Sequence, residues 1–126
     1  MKLTTLRGDE RGATAVEFAM TAPVFFLILF GIIQGGLLLW TQLGLQHGAE
    51  MAARCAGVNK VLCGNNGAIT NFAAQQAYGL NPPASTFTVS PAACGTIVTA
   101  NYTFNFFITT HFGPRLDLTA QSCFPS

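Results

Sequence analysis

The chain has 126 residues, a formal net charge of +1 and only 9% charged residues, against roughly 25% in an ordinary soluble domain. Hydrophobic residues make up 50%. Such a chain is too apolar for intrinsic disorder. It lacks the basic excess that binds nucleic acid by phosphate neutralisation, and it holds at most one or two small domains.

The charge deficit is concentrated. Residues 1–12 hold Lys2, Arg7 and Arg11 beside Asp9 and Glu10, whereas residues 18–49 contain no Asp, Glu, Lys or Arg. Within that stretch, residues 18–40 read FAMTAPVFFLILFGIIQGGLLLW, with Thr21 and Gln34 as the polar side chains. A bilayer core of roughly 30 Å needs about 20 helical residues. Lipid then forces a helix, because backbone groups must be satisfied internally. A buried helix of a soluble core is the alternative, but the rest of the chain is too small to cover it on all sides. Basic residues stay on the cytoplasmic side, so the N-terminus is predicted cytoplasmic and the part after Trp40 exported. Trp40 stands where an interfacial aromatic anchor is expected. A cleaved secretory signal would need an apolar core of only about 7–15 residues, and Arg54 before Cys55 makes a poor lipobox.

The helix is predicted to continue beyond the bilayer, from about Thr14 to Arg54, roughly 60 Å at 1.5 Å per residue. Gln42, Gln46 and Glu50 recur at spacing four, while Leu43, Ala49, Met51, Ala52, Ala53 and Ala56 leave an apolar side. Gly31 and Gly35 form one GxxxG, and Gly44 and Gly48 a second; this spacing lets membrane helices approach closely. Pro23 removes a backbone hydrogen bond and is expected to bend or open the helix. Gly57 followed by Asn59 is a C-terminal stop.

The exported head is predicted to contain a short helix and a three-stranded antiparallel sheet. Asn65 and Asn66 read as a cap, with Ile69, Phe72, Ala73 and Ala77 on one face. Gly79 and Asn81-Pro82-Pro83 end that helix. Phe87 and Val89 suggest a short strand before Pro91. Val98, Ala100, Tyr102, Phe104 and Phe106 alternate with Thr99, Asn101, Thr103 and Asn105, the period of a strand with one buried face. Leu116, Leu118 and Ala120 alternate likewise with Asp117, Thr119 and Gln121. Residues 109–115, containing Gly113-Pro114, are the expected connecting turn.

All four cysteines, Cys55, Cys63, Cys94 and Cys123, fall on the exported side, where an even number favours disulfides. A head this small needs covalent help for its core. Of the three possible pairings, Cys55–Cys63 would close the turn after the long helix and Cys94–Cys123 would staple the sheet. Cys94 and Cys123 differ in parity, so the second bridge needs a bulge or a place beyond the regular ladder.

Little in the chain suggests catalysis or metal binding. There is no CxxC, and His47 and His111 stand alone. The exported carboxylates Glu50 and Asp117 lie on separate predicted elements. No glycine motif cradles phosphate. No catalytic residue, metal, cofactor or small-molecule substrate is expected.

One carboxylate, Glu17, stands where the apolar run begins. A charge at the edge of a bilayer helix is costly and points to function. The sequence Gly12, Ala13-Thr14-Ala15-Val16, Glu17-Phe18 and the apolar run resembles a type IV prepilin signal. More narrowly, RGATAVEFAMTAPVFFLILFGIIQ resembles the opening of TadE-like proteins of tight-adherence pilus systems, usually close to RGAxAVEFALxxPxLLLLLxGI. The likeness continues through AEMAARCAG and returns in the Tyr-Thr-Phe and LTAQS segments. The resemblance implies an α+β, pilin-like fold: a leader over residues 1–12, a long helix over 13–57 that spans the membrane in its first half, and a head over 58–126. It implies cleavage by a prepilin peptidase between Gly12 and Ala13, with Glu17 and Phe18 serving recognition. Flexible backbone at Gly12 would suit the cut. The new amine on Ala13 would lie one helical turn from Glu17, and Glu17 would pair with that amine or a neighbour's. Pro23, Gly31 and Gly35 join Glu17 as expected assembly positions. Expected partners are other pilins or pseudopilins and an inner-membrane assembly platform, with the head periplasmic or extracellular. The chain is longer than the very short major pilins of such systems, which points to a minor role. A single-pass anchored binding or scaffold protein, never processed or assembled, is the alternative.

Overall fold

The computed structural model describes residues 10–107 and 115–125. Lys2, Arg7, Asp9, His111 and the expected turn at Gly113-Pro114 lie outside the described residues. The chain divides into two compact units, Met1–Gly35 and Gly36–Ser126. One helix, α1 (Glu10–Val58), belongs to both. It begins before the predicted Thr14 and takes in Gly12.

In the first unit α1 is apolar on every face from Pro23 to Ile33. Residues 23–33 are all exposed, among them Phe25, Leu27, Ile28, Phe30 and Ile32. The helix is long and apolar enough to cross a membrane, and its most apolar stretch is wholly unburied. Pro23 sits inside it, with no amide hydrogen to give the Ala19 carbonyl. Thr21 Oγ1 donates to the Glu17 carbonyl at 2.8 Å.

In the second unit the same helix carries a seam of small residues. Leu45, Ala49, Ala52, Ala53 and Ala56 are buried. Leu43, expected on the apolar side, is exposed instead. Gly44 and Gly48 serve contacts within the chain. A Cβ on Gly44 would stand 2.7 Å from Leu80 Cδ1, and one on Gly48 would stand 2.7 Å from the Ala73 carbonyl oxygen. Their bareness seats the second helix, α2 (Asn66–Gln75), and the turn after it. The Asn65 side chain caps α2 by accepting from the Ala68 amide at 2.8 Å. Ile69, Ala73 and, past the helix end, Ala77 face the core.

A 3-10 turn, Ala84–Thr86, leads into β1 (Phe87–Ala92), followed by β2 (Gly95–Phe104) and β3 (Leu116–Phe124). The strands form an antiparallel sheet in the order β1-β2-β3. Phe87 and Ala120 both pair with Ala100, and Leu118 pairs with Tyr102. The inward face holds Phe87, Val98, Ala100, Phe104, Leu118 and Ala120, all buried. Full burial of a side chain such as Leu45 or Val98 contributes roughly 1.5–3 kcal/mol. The strands depart from expectation at their ends. β1 runs through Pro91, which an edge strand tolerates because no partner needs its amide. Phe106 lies past the end of β2 and packs edge-on against Phe104, with ring centroids 5.2 Å apart. Leu116 opens β3 but is exposed.

Two long-range hydrogen bonds cover the outer edge of β3. Gln42 Nε2 donates to the Thr119 carbonyl at 2.9 Å and Gln46 Nε2 to the Gln121 carbonyl at 3.4 Å. Four helical residues rise about 6 Å and two strand residues about 6.8 Å. The i, i+4 spacing on α1 therefore matches alternate carbonyls on the strand. An open sheet edge invites pairing with another chain, and these glutamines occupy part of it.

Both disulfides form in the expected pairing, Cys55–Cys63 and Cys94–Cys123. Cys94 sits in the tight turn between β1 and β2, beyond the ladder, which removes the parity conflict. The first bridge closes the end of α1. There the Asn59 amide donates to the Cys55 carbonyl at 2.8 Å and Lys60 Nζ donates to the Ala56 carbonyl at 2.7 Å. Gly57, expected as the stop, is instead helical, since α1 continues to Val58; its bareness serves packing, because a Cβ there would meet the Phe124 ring.

The glycines separate two roles. Gly48→Ala should destabilise the head, because overpacking costs about 1–3 kcal/mol while improved helix propensity returns only about 1 kcal/mol. Gly31→Ala, with nothing within 4 Å of the new methyl, should leave head stability unchanged. Near-UV circular dichroism melts of the two variants in detergent check this.

Candidate functional site

The residues expected to carry function at the N-terminus all lie on the first turns of α1. Gly12 is helical, and a Cβ there would meet nothing within 4 Å. A peptidase would therefore have to open the first turn to extend the Gly12–Ala13 bond. Ala13, Glu17 and Phe18 are exposed. Ala13 and Glu17 stand four apart and share a helix face. An amine created on Ala13 would thus lie one turn from the Glu17 carboxylate. Phe18, Thr21, Ala22, Phe25 and Phe26 line a shallow concavity on the helix surface, shaped by the edge-on contact of Phe25 and Phe26 at 5.6 Å.

Further along, Gly31 and Gly35 leave open space where side chains would stand. Within the first unit, then, the structure puts the carboxylate, the aromatic concavity, Pro23 and the bare glycine Gly31 on one helix with exposed side chains. Gly35, the last residue of that unit, is half-buried. The four cysteines belong to the second unit, where they are consumed in disulfides.

Among the described residues the head shows no convergence of reactive groups. Glu50 accepts from Gln46 Nε2 at 3.0 Å, and Asp117 accepts from Thr103 Oγ1 at 2.8 Å. Each carboxylate is engaged on its own element or the adjacent strand. Among the described residues no three His, Cys, Asp or Glu side chains gather as a metal site would require. A recess lined by Ala56, Lys60, Cys63, Asn65, Ser90 and Thr96 contains no carboxylate, imidazole or free thiol.

One cluster escaped the sequence reading. His47 stacks on Tyr78 with ring centroids 4.4 Å apart and 11° between planes. Trp40 lies 6.0 Å from the same tyrosine. Trp40 and His47 are spaced i, i+7, which places them on one helix face. That spacing was the available signal. Nothing local announced that Tyr78 would join them from the turn after α2.

Against known proteins, the family model described as TadE-like protein matches residues 12–54. The matched stretch starts at Gly12, contains Glu17, Phe18, Pro23 and the apolar run, and ends before Cys55. The resemblance carried by the N-terminal motif is confirmed over that stretch. The match does not extend to the Tyr-Thr-Phe segment of β2 or the LTAQS segment of β3. No curated protein and no solved structure matches the chain.

Proposed function

We propose that this chain, TadE-like over residues 12–54, is a pilin-like structural subunit or assembly component of a tight-adherence pilus. It is made as a membrane-inserted precursor with its N-terminus in the cytoplasm and its head outside the inner membrane. A prepilin peptidase cuts between Gly12 and Ala13. The observation that carries the reading is what stands at Gly12 and beyond it in the family match. The match begins at the glycine where the cut would fall, and further along the same helix residues 23–33 are apolar and exposed on all sides. A helix of this kind needs lipid or other helices as its solvent.

The chemistry of assembly follows from Glu17. In lipid a carboxylate without a partner is strongly disfavoured. Cleavage supplies an ammonium at residue 13, one turn away on the same chain or available to a neighbouring subunit. Pairing across subunits would fix the axial register between helices, because only one offset joins the charges. Beside Glu17 the Phe18–Phe26 concavity, and farther along the helix the bare glycine Gly31, offer surfaces on which another apolar helix can pack. The partners of this reading are the peptidase, other pilins or pseudopilins, and an inner-membrane assembly platform. The protein acts structurally, and no residue in it is assigned a catalytic role.

Two substitutions test this in a host that makes the pilus. Gly12→Leu should leave the leader attached. Glu17→Ala should be processed yet incorporate poorly, by about tenfold or more, since losing one partner of a low-dielectric ion pair costs roughly 3–5 kcal/mol. Subunit content of sheared pilus fractions measures the second effect. Incorporation at the wild-type level would remove Glu17 from the mechanism, and a Gly12→Leu chain trimmed as usual would remove the cut site.

A further inference from the structure

Tyr78 is held in an unusual way. Its φ is +46°, in the left-handed region, and the turn also contains Gly79 at +76° and Asn81 at +43°. Bulky side chains rarely adopt that backbone conformation. A buried ring could explain the strain through packing, but Tyr78 is 51% exposed. What the conformation achieves is placement. The ring lies flat on His47 and beside Trp40, itself 56% exposed. Three rings thus form one open cluster, each with an apolar body and a polar tip.

We infer that this cluster is a contact with the phospholipid interface, so that the turn after α2 rests on the headgroup region through Tyr78 alongside Trp40. The inference rests on the reading of residues 18–40 as a membrane span. Three observations support lipid as the occupant. Trp40 is the last residue of the apolar run 18–40, so the cluster falls where that run ends in the sequence. The exposed neighbours Leu37, Leu39 and Leu43 are apolar. Residues 18–49 and 61–114 contain no Asp, Glu, Lys or Arg; the charge next along α1, Glu50, already accepts from Gln46 Nε2 at 3.0 Å. Tyr and Trp side chains are the ones that settle at headgroup level, rings toward the acyl chains and polar tips toward water. A contact at Tyr78 beside the one at Trp40 would tie the head to the bilayer surface at two points and restrict its rotation before assembly.

The sequence makes the test direct, because the chain has one tryptophan and two tyrosines. The full chain is reconstituted in vesicles of phosphatidylcholine and phosphatidylglycerol, and flotation at alkaline pH reads whether the span is inserted. Trp40 fluorescence is then quenched by lipids brominated high or low on the acyl chain, and by aqueous iodide. The measurement is repeated on the Trp40→Phe, Tyr78→Trp variant, which reports from position 78. In both proteins the shallow bromine should quench about twofold or more better than the deep one, as for headgroup-level aromatics, and iodide should quench weakly.

Enzymatic iodination of the wild-type chain from the aqueous side gives a second measurement that does not rely on a variant folding. Exposure alone orders half-exposed Tyr78 ahead of the less exposed Tyr102. Contact with lipid should reverse that order. Chains that float while position 78 is open to iodide and Tyr78 is iodinated faster than Tyr102 would overturn the interfacial contact and leave the membrane span standing. Chains that do not float would overturn both.

Discussion

A helix with apolar side chains on every face cannot be left in water, and a head of this size cannot cover it. That constraint organises the chain. In its first unit α1 exposes apolar side chains on every face from Pro23 to Ile33, which a bilayer or a bundle of like helices would satisfy. In its second unit the same helix carries glycine and alanine on the faces that meet α2 and the sheet. One continuous element thus supplies a candidate membrane anchor and the spine of a folded domain, with side-chain size deciding which role each turn takes. Where Leu, Ile and Phe dominate, the helix is left bare. Where Gly and Ala dominate, backbone approaches backbone.

The head depends on closeness more than on bulk. Half of its buried hydrophobic set among the described residues is alanine, with Leu45, Ile69, Phe87, Val98, Phe104 and Leu118 as the larger members. Alanine methyl groups bury limited apolar area, and domains this small lean on disulfides. The two bridges sit at the ends of the construction. Cys55–Cys63 ties the end of α1 to the loop that leads to α2, and Cys94–Cys123 ties the β1–β2 turn to the far end of β3. Between them, Gln42 and Gln46 fasten the helix to the edge of β3.

Much of this architecture could be read in the sequence because its signals are local. The alternation of Val98, Ala100, Tyr102 and Phe104 gave β2, and that of Leu118 and Ala120 gave β3. Asn65 announced the cap of α2. What could not be read depends on distance. Gln42 and Gln46 showed only a recurrence at spacing four, and nothing in that spacing reveals a strand edge nearly eighty residues away in sequence. Gly44 and Gly48 repeat the spacing of Gly31 and Gly35, yet only the first pair is pressed against α2 and its turn. The motif specifies bareness and leaves the partner open. Tyr78 is the sharpest case, since a tyrosine with positive φ has no sequence signature. At the N-terminus the situation is reversed. The order Gly12, Glu17, Phe18 is a sequence signal, and the geometry adds only that all three are presented on the first turns of one exposed helix.

The central claim is that the leader is removed and the helix behind it freed for assembly. The intact mass of the protein recovered from membranes of a peptidase-competent native host tests it most directly. The account requires a chain that has lost residues 1–12, begins at Ala13 and retains both disulfides. A chain that keeps its leader in that host would contradict the pilin-like reading and leave a single-pass anchored protein in its place.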